Sequence, residues 1–344
     1  MVRGVKLALL KGLRAVGAYD VVLRSGWRSA RVAILCYHGV SIDDEHAWDR
    51  ALYMRPSMFD QRLRLLRDGG YRVLTLSEAA RRLYEGSLPP RSVCLTFDDG
   101  GADFVLSAQP LLEKYGFPAT VYLTTYYSEL RAPVFDTVVR YILWKSGRET
   151  VDAKPYLGIR GSWTASTREG RVAGLRQLGA HCERLGMSGA DKAELAARLA
   201  GNLGVDYDRI LSRRLLQIMT PEEAADMVRR GVDIQLHTHR HRSPEDKETF
   251  LREIEDNRER VRSYVGYDPV HFCYPMAICR PQYPGWLRET TVQTATITAM
   301  ALASRGADPY RMPRVVDVES MHPVEFEAYL TGARSLLPRR GAAR

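Results

Sequence analysis

The run Ser92-Val93-Cys94-Leu95-Thr96-Phe97 ends abruptly on Asp98-Asp99-Gly100-Gly101. A short, unbroken apolar run bounded by turn residues reads as a buried strand that delivers its last side chains to a loop. Two neighbouring carboxylates repel each other unless a cation or a shared proton compensates. A metal that takes one of them and leaves the other free as a base is the chemistry such a pair invites. Asp and Gly are also ordinary turn residues, so the motif alone describes a strand-closing turn equally well.

A second strand end sharpens the reading. Gly231-Val232-Asp233-Ile234-Gln235-Leu236 runs into His237-Thr238-His239-Arg240-His241, which holds three of the chain's eight histidines. His237 and His241 are four apart, so a helical turn or a tight loop brings both imidazoles to one side. Imidazole nitrogens together with a carboxylate suit zinc or a similar divalent ion.

Strands and helices alternate along much of the chain. Val32-Ala33-Ile34-Leu35-Cys36-Tyr37 is a strand ending at His38-Gly39, and Ser77 is expected to cap a helix ending at Gly86. Later strands are read at Ala119–Leu123, Val270–Pro275 and Thr294–Thr298, with the last at Arg314–Val318. Thr220-Pro221-Glu222-Glu223 carries a capping box with proline at the first helical position. This alternation argues for an α/β fold with a parallel sheet, in which working groups gather beyond the carboxyl ends of the strands. His38, Asp98-Asp99 and His237 to His241 all occupy that position. From about 126 to 218 the rhythm breaks into helical spacing, read as an insertion that walls or covers the site.

The net charge of +9 permits an acidic glycan or a phosphate-bearing lipid as partner. No zinc-finger spacing or aromatic-basic interleaving points to nucleic acid. Five cysteines, with Cys36 and Cys94 inside apolar strands, favour free thiols in a reducing compartment. The first 30 residues are basic and only intermittently apolar. They read as an amphipathic helical segment packed on the domain, with peripheral membrane contact as the other reading, and not as a span. The expected organisation is this segment (1–30), a catalytic domain (31–330) and a basic tail (331–344). The expected location is cytoplasmic, extending to the inner face of the membrane.

Thr96-Phe97-Asp98-Asp99-Gly100 together with His237-Thr238-x-x-His241 resembles the polysaccharide deacetylase family, also known as the NodB-homology or carbohydrate esterase family 4 enzymes. The resemblance implies a distorted (β/α) barrel with fewer than eight regular strands. It implies a hydrolase that removes N-acetyl or O-acetyl groups from a polysaccharide or from a lipid- or nucleotide-linked glycan. Carried over by motif, Asp99, His237 and His241 are the expected ligands of a divalent metal, zinc first. Asp98 is the expected base, and Thr238 is expected to orient an imidazole. His38 is the expected general acid, since Tyr-His-Gly at the first strand end recurs in a branch of the family, with His322 as the fallback.

The third motif departs from the family pattern. Where many relatives have Arg-Pro-Pro-Tyr-Gly, this chain has Cys273-Tyr274-Pro275-Met276-Ala277. Arg314 is the expected substitute for the missing arginine, although a place at the start of its strand would aim it at the wrong end. The backbone amide of Met276 is the expected oxyanion donor. Three other readings follow: a glycan-binding protein that kept the fold without activity, a hydrolase of a non-sugar amide, and a non-haem iron oxygenase. The oxygenase lacks its usual His-x-Asp/Glu pair.

Overall fold

The computed structural model describes residues 3–158 and 160–337. Seven parallel strands close into a barrel: β1 (Arg31–Tyr37), β2 (Ser92–Phe97), β3 (Thr120–Leu123), β4 (Asp233–Leu236), β5 (His271–Cys273), β6 (Thr294–Thr298) and β7 (Met312–Val316). Each strand lies beside its predecessor in the chain. β7 closes the ring on β1 through the pairs Leu35–Val315 and Cys36–Val316. Two short strands extend the rim: Arg72–Leu74 runs parallel to β2, and Ala303–Ser304 runs antiparallel to β1.

The two faces of each strand have different fates, as a period of two dictates. Ala33, Leu35 and Tyr37 of β1 and Val93, Leu95 and Phe97 of β2 pack outward, in a cluster with Phe59, Leu63 and Met227 of the flanking helices. Val32, Ile34, Cys94, Tyr122, Cys273 and Met312 form an inner cluster with Leu76, Ala79 and Leu83 of the helix Leu76–Glu85. That helix is capped by Thr75, whose hydroxyl accepts the amide of Glu78 at 3.2 Å, so the expected cap at Ser77 is displaced by two residues.

Residues between β3 and β4 form the helical insertion. Its longer helices, Phe135–Lys145, Arg168–Arg184 and Gly189–Leu203, share a hydrophobic cluster of their own, built on Val139, Ile142, Leu178, Leu199 and Trp163. A small antiparallel hairpin, Thr150–Asp152 with Ser162–Thr164, has no counterpart in the sequence reading. The amino-terminal segment forms the helices Arg3–Ala15, Ala18–Leu23 and Gly26–Ser29. Leu10 and Tyr19 are buried against Val324 and Ala328 of the helix Pro323–Thr331, which fastens the segment to the barrel. Fully burying one such leucine contributes about 1.5–3 kcal/mol. The carboxyl-terminal stretch ends in a short turn at Ala333–Leu336, and 338–344 of the expected basic tail lie outside the described residues.

Candidate active site

The carboxyl ends of β2 and β4 face each other across the mouth of the barrel. Asp99, the second residue after β2, has a left-handed backbone (φ 70°), as do Thr238 (φ 61°) and His241 (φ 54°) in the loop after β4. This tight loop, and not a helical turn, brings the two imidazoles together, with ring centres 5.0 Å apart. Nε2 of His237 lies 3.1 Å from Oδ1 of Asp99, and Nε2 of His241 lies 3.3 Å from the same oxygen.

The tautomer of His237 is fixed by its neighbour. Its Nδ1–H donates to the carbonyl oxygen of Cys273 at 2.9 Å, since a carbonyl can only accept. Nε2 is left to hold a proton or a cation against the Asp99 oxygen, and His241 brings a second nitrogen to the same point. Such a convergence of acceptors calls for a positive charge among them. The separations match the edges of a tetrahedron whose centre lies about 2.0–2.1 Å from each ligand atom, about 3.3 Å. Asp99, His237 and His241 thus fit a divalent cation. Burial disfavours the charge on Asp99, but His241 and His237 outweigh it and hold the carboxyl well below its usual range.

Asp98 has a different environment. Arg314 reaches it from β7 as a two-pronged fork, Nη1 to Oδ1 at 2.6 Å and Nη2 to Oδ2 at 2.7 Å, with both side chains buried. Burial alone would raise the Asp98 carboxyl, but Arg314 overrides it and keeps the group ionised. Nε2 of His38, which directly follows β1, lies 3.9 Å from Asp98 Oδ2. The thiols of Cys36 and Cys273 approach the same oxygen at 3.5 and 3.6 Å. Arg314 sits in the middle of β7, because that strand begins at Met312 and not at Arg314. The concern that it would face the wrong end is thereby removed.

A helix on the outside steadies the histidine loop. Asn257, buried in Lys247–Val265, accepts the His237 amide at 2.8 Å and donates to the Leu123 carbonyl at 3.0 Å. His239 points away from the cluster, with its Nδ1 2.8 Å from the Thr125 hydroxyl. A cavity of about 90 Å³ opens onto His38, Asp98, Asp99 and His241. Val134, Leu216 and Ile218 wall it from the insertion side.

Three expected roles meet a different geometry. The Thr238 hydroxyl accepts the Arg242 amide at 3.0 Å and so braces the loop, while the Cys273 carbonyl orients the imidazole. His322 caps the helix Pro323–Thr331, its Nδ1 accepting the Val324 amide at 3.2 Å, and it does not line the cavity. Met276, whose backbone amide is the expected oxyanion donor, follows β5 in a tight turn (φ 55°) and does not line the cavity either.

Asp103 escaped the sequence reading. It lines the cavity, buried, and accepts the Val40 amide at 2.7 Å. Burial, with Glu45 and Asp99 adding to it, pushes its carboxyl up to about 8. Its signal was proximity in sequence: it lies four residues beyond Asp99, just past a loop already singled out.

Comparison with known proteins agrees with this geometry. The family model described as "Polysaccharide deacetylase" matches residues 85–154 and 198–293, leaving out the middle of the insertion. YxkH of Bacillus subtilis (strain 168), named for the same family, is 34% identical over 97 residues, 28% of this chain and 33% of that one. The poly-beta-1,6-N-acetyl-D-glucosamine N-deacetylase of Escherichia coli (strain K12) is 30% identical over 95 residues, 27% of this chain and 14% of that one. The alignments thus span a third or less of these two relatives. Among solved structures, the Streptococcus pyogenes deacetylase PplD in complex with acetate superposes with a TM-score of 0.58 at 18% identity, covering 87% of this chain and 98% of that one. At that identity the likeness is one of fold.

Proposed function

This chain belongs to the polysaccharide deacetylase family, and on that premise we propose that it is a hydrolase that removes N-acetyl groups from a glycan, acting on a carbon–nitrogen bond other than a peptide bond. The observation that carries the proposal is the division of labour between adjacent carboxylates. Asp99 faces two imidazole nitrogens, while Asp98 faces an arginine and His38. One carboxylate is set to hold a cation and the other to handle a proton.

Asp99, His237 and His241 would hold a divalent cation, zinc being the ion that two imidazoles and a carboxylate suit best. When bound, it would polarise the acyl carbonyl and acidify a water molecule. Asp98, held ionised and oriented by Arg314, accepts the proton of the attacking water. His38, beside it at the cavity wall, donates a proton to the departing amine. Arg314 answers the third-motif departure, since the missing arginine is replaced from another strand, and this supports an active enzyme over a binding protein of the same fold.

The glycan is an N-acetylated polymer or a lipid- or nucleotide-linked intermediate. The location we propose is the cytoplasm, peripheral to the inner face of the membrane. Five free cysteines support a reducing compartment. Val5 and Leu9, exposed along the first helix near Lys11, and Val16 just beyond it support contact with an anionic lipid surface.

The test separates the two carboxylates. Asp98→Asn is expected to keep bound zinc and to lose acetate release from N-acetylglucosamine oligomers by about a hundred- to ten-thousand-fold. Asp99→Asn is expected to lose both, because it takes a formal charge off the ligand set. Metal loss in Asp98→Asn with retention in Asp99→Asn would reverse the assignment. Full activity in both would end the deacetylase reading.

A further inference from the structure

Beside the candidate active site lies a second cleft, of about 250 Å³, between the histidine loop and the insertion. Tyr127 walls both cavities, and Arg242, which follows His241 directly, lines the second. Tyr126 and Phe135 add aromatic surface, and Lys192 and Arg240 add charge. No Asp or Glu lines it.

Part of the charge in this cleft is unspent. Arg240 is neutralised by Glu253 at 3.0 Å and Asp256 at 3.3 Å. Lys192 and Arg242 have no carboxylate within ion-pairing distance among the described residues. Lys192 lies only over the Phe135 ring, its Nζ 5.9 Å from the centre. Elsewhere exposed arginines of this molecule are repeatedly matched with acids, as in Arg209–Asp43, Arg230–Glu113 and Arg260–Glu129. Two unmatched cations facing one recess, one residue from an expected metal ligand, concentrate positive potential where the substrate must pass. The aromatic rings give a sugar ring a face to stack on.

We propose that this cleft is a subsite for an anionic group, a phosphate or a carboxylate, carried by a sugar next to the one that loses its acetyl group. The inference rests on the glycan deacetylase reading and narrows its substrate class to acidic glycans. Lys192 supplies a point charge. Arg242 supplies a planar fork, which suits a two-oxygen acceptor.

The test measures binding and turnover separately, with zinc-loaded full-length protein. Three probes of equal length serve: a neutral N-acetylglucosamine oligomer, the same oligomer bearing a 6-phosphate, and an oligomer alternating N-acetylglucosamine with glucuronate. Calorimetry is expected to show at least one charged probe binding about ten-fold more tightly than the neutral one, and the two charged arms identify which anion is preferred. Lys192→Gln with Arg242→Gln is expected to remove that preference while leaving the neutral probe's affinity within about two-fold. A control, Lys11→Gln with Arg24→Gln, removes two distant exposed cations and is expected to change nothing. Equal binding of all three probes overturns the proposal. So does a preference that survives the cleft variant, or one lost equally in the control. Charge-selective binding without acetate release from any probe would leave the subsite standing and count against the deacetylase reading instead.

Discussion

At the scale of single residues, the site is a set of carboxylates with different surroundings. Asp98 is held by an arginine, Asp99 by two imidazoles, and Asp103 by one backbone amide within a buried pocket. The last has a consequence for stability. An unfolded aspartate titrates near 3.9, whereas Asp103 in the folded chain is pushed up to about 8. The folded state therefore binds the proton more tightly, and stability falls as pH rises between those values, with the loss complete above 8. Asp103→Asn cannot ionise and still offers an oxygen to Val40. With metal chelated, so that protons alone titrate, wild-type protein is expected to lose several degrees more of its melting temperature between pH 6 and pH 9 than the variant. Equal losses would show that Asp103 is already compensated.

At the scale of elements, strand ends carried most of what could be read from the sequence. Parallel strands covered on both faces are nearly continuous apolar runs, so β1 and β2 and the residues just beyond them were visible before any coordinates. β7 was read two residues late, at Arg314–Val318 in place of Met312–Val316, which left out Pro313. It pairs with Ile297 all the same, and that shift is what aims Arg314 at Asp98. The cap role of His322 was legible in principle, since proline follows it at the first helical position. No local pattern, by contrast, could show that a carbonyl from β5 and an amide side chain from the helix Lys247–Val265 hold His237. These contacts join residues 20 and 36 positions away. Asn257→Ala strips the His237 amide and the Leu123 carbonyl of a buried partner. It is expected to weaken zinc binding about ten- to a hundred-fold, by competition with a chelator. Unchanged affinity would mean that the loop holds its shape without the helix.

For the molecule as a whole, the barrel fixes the site while the attachments set what reaches it. The insertion keeps its own hydrophobic cluster and presents Val134, Leu216 and Ile218 to the cavity. The amino-terminal helices lean on the last helix through Leu10 and Tyr19 and leave Val5, Leu9, Val16 and Val21 exposed. Among the described residues no helix is long and apolar enough to cross a membrane. Membrane-associated protein is therefore expected to be released by high salt or alkaline carbonate. Release by detergent alone would overturn a peripheral attachment through these helices.

The left-handed backbone at Asp99, Thr238 and His241 sets two kinds of selection against each other. Each such residue without glycine's freedom costs on the order of 1–2 kcal/mol. A search for heat-tolerant variants would therefore be drawn to glycine at these three positions. Two of them carry the expected metal-binding side chains and the third braces the loop between them. Variants enriched by heat at these positions should be poor catalysts, and lineages kept for catalysis should retain a strained and less durable barrel mouth.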